Sequence, residues 1–555
     1  MTQLSEGEPA LRREGNVSSP RKQHSIFQPG GHMKQSILLG ILLALSLPDA
    51  NAPAQVTTSQ YDVARTGATL HEATLTPQNV NPQQFGKLGA FKVDGVVYAQ
   101  PLFVPGVEIP GKGKHDVLFV ATEHDSVYAF DTGRPNDPPL WQTNFLDDKR
   151  DVTTLSSRDV SCPFIEPEVG ITSTPVIDMK SGTLYVLART MIRHTLGSNE
   201  YFQHLHALAI TTGVEKFGGP KLITGSAPGK GDDSSNGQIA FNPLRENPRA
   251  ALLLTQGNLF LMWASSCDRG PYHGWVMAYD PATLAQKAIL NVTPDGNEGG
   301  IWESDTGPAA DADGNVYVPT GNGTFNLSTG GKDYGDSVLK LGLQGSSLEI
   351  LDYFTPRDQE HMADTDMDLG SAGPVLLPDQ PGPHRHLLLQ PSKDKRIFVL
   401  DRDALGKFHR NSDAIVQTQP VSGGGYGSMA YWSGHAYFAG ENDALREYAI
   451  TSGELKPGAA SRMKFDGGAT PSISANGNKD AVVWVASKKD GRGRIRQAVL
   501  YAFDATTIGQ PIYSSETNAD RDEAGMAARF VIPMVVNGRV YLGTRSEVDV
   551  YGLLK

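Results

Sequence analysis

The phrase Asp125-Ser126-Val127-Tyr128-Ala129-Phe130-Asp131-Thr132-Gly133 recurs in degenerate form along the chain, and that recurrence restricts the fold more than any single residue does. Clear echoes are Val276-Met277-Ala278-Tyr279-Asp280, Leu445-Arg446-Glu447-Tyr448-Ala449-Ile450 and Val499-Leu500-Tyr501-Ala502-Phe503-Asp504. Weaker ones begin at His206, Ser337, Arg396 and Val548. Each copy follows a second apolar strand, such as Val117-Leu118-Phe119-Val120 or Val540-Tyr541-Leu542, whose β-branched and aromatic residues suit a half-buried pleated surface. Farther upstream comes a short strand with proline near its start, as at Pro175, Pro374, Pro471 and Pro533. Proline lacks the amide hydrogen, so it fits a strand start or an unpaired edge. A fourth strand follows the Thr-Gly turn, best seen in Leu140-Trp141-Gln142-Thr143. Eight copies of a four-stranded unit predict an all-β chain forming a single eight-bladed β-propeller of antiparallel sheets. Seven blades is the alternative, because the pattern is poorly formed around Phe241-Asn242-Pro243.

Such a ring must close. The last copy ends at Leu553-Leu554-Lys555 without a fourth strand of its own, and Lys87-Leu88-Gly89-Ala90-Phe91-Lys92-Val93 is the candidate to supply it. Gly 60 and Pro 36 in 555 residues suit a chain built of turns. The net charge of -12, without a block of Lys and Arg, argues against nucleic acid as a partner. The densest basic stretch, from Lys488 to Arg496, lies between two strands of one blade and reads as a solvated hairpin loop.

The N-terminus reads as a separate segment. Met33-Lys34-Gln35-Ser36 and the apolar run from Ile37 to Leu47 have the charge and length of a secretory signal, too short for a comfortable membrane span. Two A-x-A sites overlap at Ala50-Asn51-Ala52 and Ala52-Pro53-Ala54, and the second avoids leaving Pro53 at the new N-terminus. Residues 1–54 are therefore an extension plus signal (about 33–54), and 55–555 the propeller, free in the periplasm or secreted with no membrane span after cleavage. In that oxidising setting the two cysteines, Cys162 and Cys267, are expected to form a disulfide. His204 with His206, and His384 with His386, lack a third ligand, and Asp311-Ala312-Asp313-Gly314-Asn315 reads as a β-turn rather than a calcium loop.

The middle of the chain carries a family resemblance. Asp368-Leu369-Gly370-Ser371-Ala372-Gly373-Pro374, followed by Gln390-Pro391-Ser392-Lys393-Asp394-Lys395-Arg396-Ile397-Phe398, resembles the pyrroloquinoline quinone (PQQ) dependent alcohol dehydrogenases. That resemblance implies an eight-bladed propeller with PQQ and calcium near its axis. It implies that Lys393 bonds the reactive quinone oxygens and that Asp368, chosen over Asp364 and Asp366 by counting back from Pro374, is the catalytic base. Val318-Pro319-Thr320-Gly321-Asn322-Gly323 is similar to the family's Thr-Gly-Asn turn, which makes Asn322 a calcium ligand. Trp302 corresponds to a tryptophan that stacks on the cofactor, and Glu200 to the calcium-binding glutamate; Asp368 would also face the metal. The chemistry is coherent: a hard cation takes carboxylate and amide oxygens, a quinone accepting hydride needs positive charge beside it, and a carboxylate takes the alcohol proton.

The chain also departs from that family. The adjacent cysteine pair that covers one face of PQQ is missing, as is the tryptophan beside the catalytic aspartate, and no Cys-x-x-Cys-His is present to attach haem. Two classes of function follow. One is a dehydrogenase acting on a small-molecule alcohol or sugar; the other is a non-catalytic propeller scaffold that binds a protein or glycan partner. Asn322, Asp368 and Lys393 converging on a funnel is the arrangement that favours the first.

Overall fold

A computed structural model describes residues 54–304, 306–488 and 496–555. The signal segment with its cleavage sites, and most of the basic stretch after Lys488, lie outside the described residues. The eight recurring phrases all become third strands: Ser126–Asp131, Glu200–Ala209, Trp275–Tyr279, Val338–Gln344, Arg396–Asp401, Asp443–Thr451, Ala498–Asp504 and Glu547–Leu553. Each lies within its own antiparallel sheet, and the sheets number blades 1 to 8 in that order. Six sheets have four strands, blade 7 gains the parallel strand Ala68–Thr69, and blade 2 gains Val152–Ser156 and Glu168–Val169. The blades number eight, not seven. The weak pattern near Phe241 has a physical cause: a separate hairpin, Ser226–Pro228 with Gln238–Ala240, is inserted between blades 2 and 3. Behind it Phe241 packs edge-on against Trp263 and Trp275, with ring centroids 5.1 and 6.1 Å apart.

Several second and third strands are buried throughout, as Leu387–Pro391 and Trp275–Tyr279 are. Both faces of each blade are covered by its neighbours, so the polar alternation of a one-sided sheet is lost. Innermost strands begin directly after proline in six blades, at Pro101, Pro175, Pro308, Pro374, Pro471 and Pro533.

Phe85–Lys92 pairs antiparallel with Glu547–Leu553, matching Lys87 to Tyr551 and Phe91 to Val548. This closes the ring where the sequence places the closure. Phe85 enters the seam between blades 7 and 8, 4.8 Å from Tyr513 and 5.4 Å from Trp484, and the Lys87 ammonium sits 2.6 Å from buried Asp549.

The chain just before that strand makes a second closure. Residues 54–69 cross the end of the ring where the innermost strands finish, and hydrogen-bond to every blade. Val56 pairs with Phe103, Thr57 accepts from Ile177, Val63 from Ala310, Ala64 from Leu376, Thr66 from Tyr431 and Gly67 from Ile473. The Tyr61 hydroxyl accepts from Val535 N–H of blade 8, and Arg65 donates to Leu252 O of blade 3. Antiparallel topology puts the connections between second and third strands, and those between blades, at the opposite end. Asn322, Asp368, Lys393 and Trp302 lie in those connections, and Glu200 begins a third strand.

Candidate active site

Asn322 begins the connection after Val316–Pro319 in blade 4. Its backbone N–H donates to Asp368 Oδ1 at 3.0 Å, and its side-chain Nδ2 donates to Asp366 Oδ1 at 3.0 Å. Its own Oδ1 is buried without a hydrogen-bond partner. The flanking glycines are required by close approach: a Cβ on Gly321 would lie 2.3 Å from Asp368 Oδ1 and 2.6 Å from Trp302 Nε1, and one on Gly323 2.4 Å from Gly299 N.

Asp366 and Asp368 follow the short helix Gln359–Asp364 in the connection from blade 4 to blade 5. Asp368 is held on both sides: its carbonyl accepts from Lys393 N–H at 3.1 Å, and its Oδ2 from the Ser371 hydroxyl at 3.2 Å. Lys393 comes from the turn after Leu387–Pro391 of blade 5. Its Nζ lies 2.6 Å from Asp366 Oδ1, 3.2 Å from Asp368 Oδ2 and 5.8 Å from the centre of the Tyr426 ring. Burial works against the ammonium, but the Asp368 and Asp366 carboxylates outweigh it and hold the Lys393 pKa above the usual lysine range. The Gly423-Gly424-Gly425 run serves this turn: a Cβ on Gly424 would lie 2.1 Å from Lys393 O.

Trp302 is buried at the start of blade 4, with Tyr272 edge-on at 6.2 Å and the Arg249 guanidinium 5.5 Å from its ring. Its Nε1 has no hydrogen-bond partner. Arg249 also lies 4.4 Å from the Phe530 ring. Beyond Phe530 is a cavity of about 230 Å³ between blades 6, 7 and 8, walled by Phe164, Tyr426 and Phe530 and floored by glycine and alanine backbone. Tyr426 joins the two halves.

Two further carboxylates face this region. The Tyr272 hydroxyl donates to Asp268 Oδ1 at 2.8 Å. Burial, then the charges of Asp268 and Asp368, push the Glu298 pKa up to about 7. Asp268 follows Cys267 directly, and the Cys162–Cys267 disulfide, with Cα atoms 5.5 Å apart, ties that turn of blade 3 to the loop entering blade 2.

Asn322, Asp368, Lys393 and Trp302 are thus brought together, and Glu200 is not. It stands opposite Ile192 at the far end of the hairpin of blade 2, 60% exposed, with its carboxylate 2.9 Å from His194 Nε2. Sequence reasoning passed over Asp366, Asp268, Tyr272, Glu298 and Arg249. Asp366 was visible in the acidic run; the others sit in connections with no repeat to align them.

No protein-family model and no curated protein sequence matches the chain. Among solved structures it is similar to the quinohemoprotein alcohol dehydrogenase of Pseudomonas putida, with a TM-score of 0.58, 14% identity, and coverage of 91% of this chain and 81% of that one. The quinohemoprotein alcohol dehydrogenase of Comamonas testosteroni gives 0.57, 15%, 90% and 80%. The fold is that of the quinoprotein alcohol dehydrogenases. A europium-containing methanol dehydrogenase matches over 91% of this chain and 99% of its own, with a TM-score of 0.56 and 14% identity. At such identity the likeness speaks for the quinoprotein fold alone.

The residues present can be tested against a quinone and a cation. Among the described residues no three carboxylate, imidazole or thiol groups are already gathered as a metal site. The Asn322 Oδ1 beside Asp366 and Asp368 nevertheless supplies an unpartnered hard oxygen, the donor a cation of the calcium type takes. The free Trp302 Nε1 and the Lys393 ammonium are donors suited to an oxygen-rich ring. The donor set fits.

Proposed function

We propose that this protein is a periplasmic or secreted quinoprotein dehydrogenase that oxidises an alcohol or sugar with PQQ and calcium. One observation carries the reading: Asn322, Asp368 and Lys393, from three separate connections, meet within hydrogen-bonding distance at one end of the ring. Asn322 and Asp368 would hold the cation, and Lys393 and Trp302 the quinone. When bound, that pair supplies a two-electron acceptor polarised by the metal.

The chain's own residues supply the rest. Asp368 carries a carboxylate placed to accept the proton of a substrate hydroxyl. Lys393 stays protonated and sets its positive charge where negative charge builds during oxidation, with Asp366 fixing its direction at 2.6 Å. Asn322 ties these groups together through its two N–H donors. Among the described residues no helix is long and apolar enough to cross a membrane.

The test is calorimetric titration of the purified protein with PQQ in the presence of calcium, followed by dye reduction across a panel of alcohols and sugars. Binding with dye reduction on at least one substrate is the expected result. Absence of binding overturns the enzymatic reading and leaves a propeller scaffold for a protein or glycan partner.

A further inference from the structure

Between blades 8 and 1, beside the strand pairing that closes the ring, lies a cavity of about 480 Å³ lined by Lys114, His115, Asp116, Thr132, Asn537 and Arg539 among others. Its rim is formed by the turn after Ile109, the turn after Asp131 and the turn Asn537-Gly538, which join first strands to second or third to fourth. It therefore sits at the end of the ring crossed by residues 54–69, opposite Asn322, Asp368 and Lys393. Its volume falls within the range of small-molecule sites, about 300 to 1,000 Å³.

Part of the charge in this wall is matched within the protein. Asp131 accepts from Gly133 N–H at 2.9 Å through Oδ1 and faces His115 Nδ1 at 3.0 Å through Oδ2, while His115 Nε2 faces Lys112 O at 3.0 Å. An imidazole set between a carbonyl and a carboxylate donates from both nitrogens, so His115 is the cation that balances Asp131. The rest is unmatched. The Arg539 guanidinium makes no hydrogen bond or ion pair among the described residues, and its Nη1 is buried without a partner. The Lys114 stem runs over Gly106, where a Cβ would lie 2.6 Å from its Cε, and its ammonium has no ion pair among the described residues. Asp116 Oδ1 accepts from Gly106 N–H at 2.8 Å, but its Oδ2 accepts from no group among them. The Asn537 carboxamide, at the tip of the hairpin that pairs Val536 with Arg539, is likewise unbonded among the described residues.

That inventory specifies a ligand. A buried donor without a partner is costly until an acceptor meets it, and the planar fork of a guanidinium fits the oxygens of a carboxylate or phosphate. An open carboxylate oxygen repels an anion but accepts from a hydroxyl, and a carboxamide both donates and accepts. A simple oxyanion would leave Asp116 unmatched, and a neutral sugar would leave Arg539 unmatched.

We propose that this cavity binds a monosaccharide carrying one oxyanion, with Arg539 and Lys114 on the anion and Asp116 and Asn537 on the hydroxyls. The site needs neither quinone nor calcium. Because its walls come from blades 8 and 1, the ligand bridges the two blades that meet where the ring closes.

The test is calorimetric titration of the purified protein, without quinone, with sodium glucuronate and with glucose 6-phosphate, which carry the anion as carboxylate or as phosphate. Glucose, sodium acetate and inorganic phosphate supply the two halves of that chemistry separately. The expected result is binding of at least one acidic sugar, at least tenfold weaker binding of glucose, acetate and phosphate, and a tenfold or greater loss of affinity in Arg539→Gln and in Asp116→Asn. The wild-type melting temperature should rise with the concentration of the sugar that binds. Melts without ligand check folding; Asp116 is exposed, so Asp116→Asn decides if Arg539→Gln does not fold. Absence of binding by both acidic sugars, equal binding of glucose or of a simple anion, or unchanged affinity in the folded variants overturns the proposal. None of these outcomes touches the reading of the opposite end, since Arg539 and Asp116 take no part there.

Discussion

At the residue scale, the environment of Lys393 decides what its charge can do. Held by two carboxylates and only 16% exposed, it cannot shed its proton near neutral pH, so it is a fixed positive charge rather than an acid or base. Lys393→Ala should therefore lower turnover about 10²- to 10³-fold while PQQ affinity, measured by calorimetry, falls by less than tenfold. Glu123 is the opposite case. It is fully buried in blade 1, accepts from Gly170 N–H at 2.6 Å, and has Oε1 unpartnered. Burial pushes its pKa from the ordinary 4.5 up to about 7, against the help of Gly170 and Thr172. The folded state then binds more protons than the unfolded state, so this stability is complete below about pH 4.5 and is lost as pH rises through 7, by at most about 3 kcal/mol. Urea midpoints should fall less between pH 5 and 8 in Glu123→Gln than in the wild type. Neither environment could be read from sequence. The identities of Asn322, Asp368 and Lys393 stood out because they occupy motif positions, whereas Asp268, bonded by Tyr272 four residues on, and Glu298, paired with Gly323 in the next blade, sit where no motif marks them.

At the scale of elements, strands were legible and connections were not. Strands announce themselves by alternation, by proline at the inner edge and by a recurring turn, and all eight third strands lie where those signals fall. Connections obey no period, so the inserted hairpin between blades 2 and 3 showed only as a blur around Phe241. The closing strand was legible as a missing fourth strand, but the wedge it carries was not. Phe85→Ala should cost about 3 to 5 kcal/mol in urea unfolding, because it empties an aromatic seam shared by two blades. A loss under 1 kcal/mol would show that the seam does not depend on it. The disulfide closes a sequence separation of 105 residues, so Cys162→Ser with Cys267→Ser should lower stability by up to about 4 to 5 kcal/mol relative to the oxidised protein.

At the scale of the whole molecule, ring closure by Phe85–Lys92 was deduced from counting, while the segment spanning residues 54–69 left no trace in any repeat. At its centre is Arg65, fully buried, donating to Thr58, Ser59 O, Pro308 O and Leu252 O, with its pKa pushed down to about 10 by burial despite Glu303 and Asp62. Arg65→Met should remove about 3 to 5 kcal/mol. Since its partners lie in different blades, a single cooperative transition should simply move to lower urea rather than split in two. That segment also has a consequence in time. Residues 54–69 are made before any blade, and their bonds become possible one blade at a time: Val56 can pair with Phe103 early, but the Tyr61 hydroxyl meets its blade 8 partner only once Val535 has been made, so the set is complete only when nearly the whole chain exists. A propeller without it could accumulate blade by blade during synthesis. Here the last of those bonds waits for blade 8, so this end of the ring is not fully tied down until synthesis is almost finished.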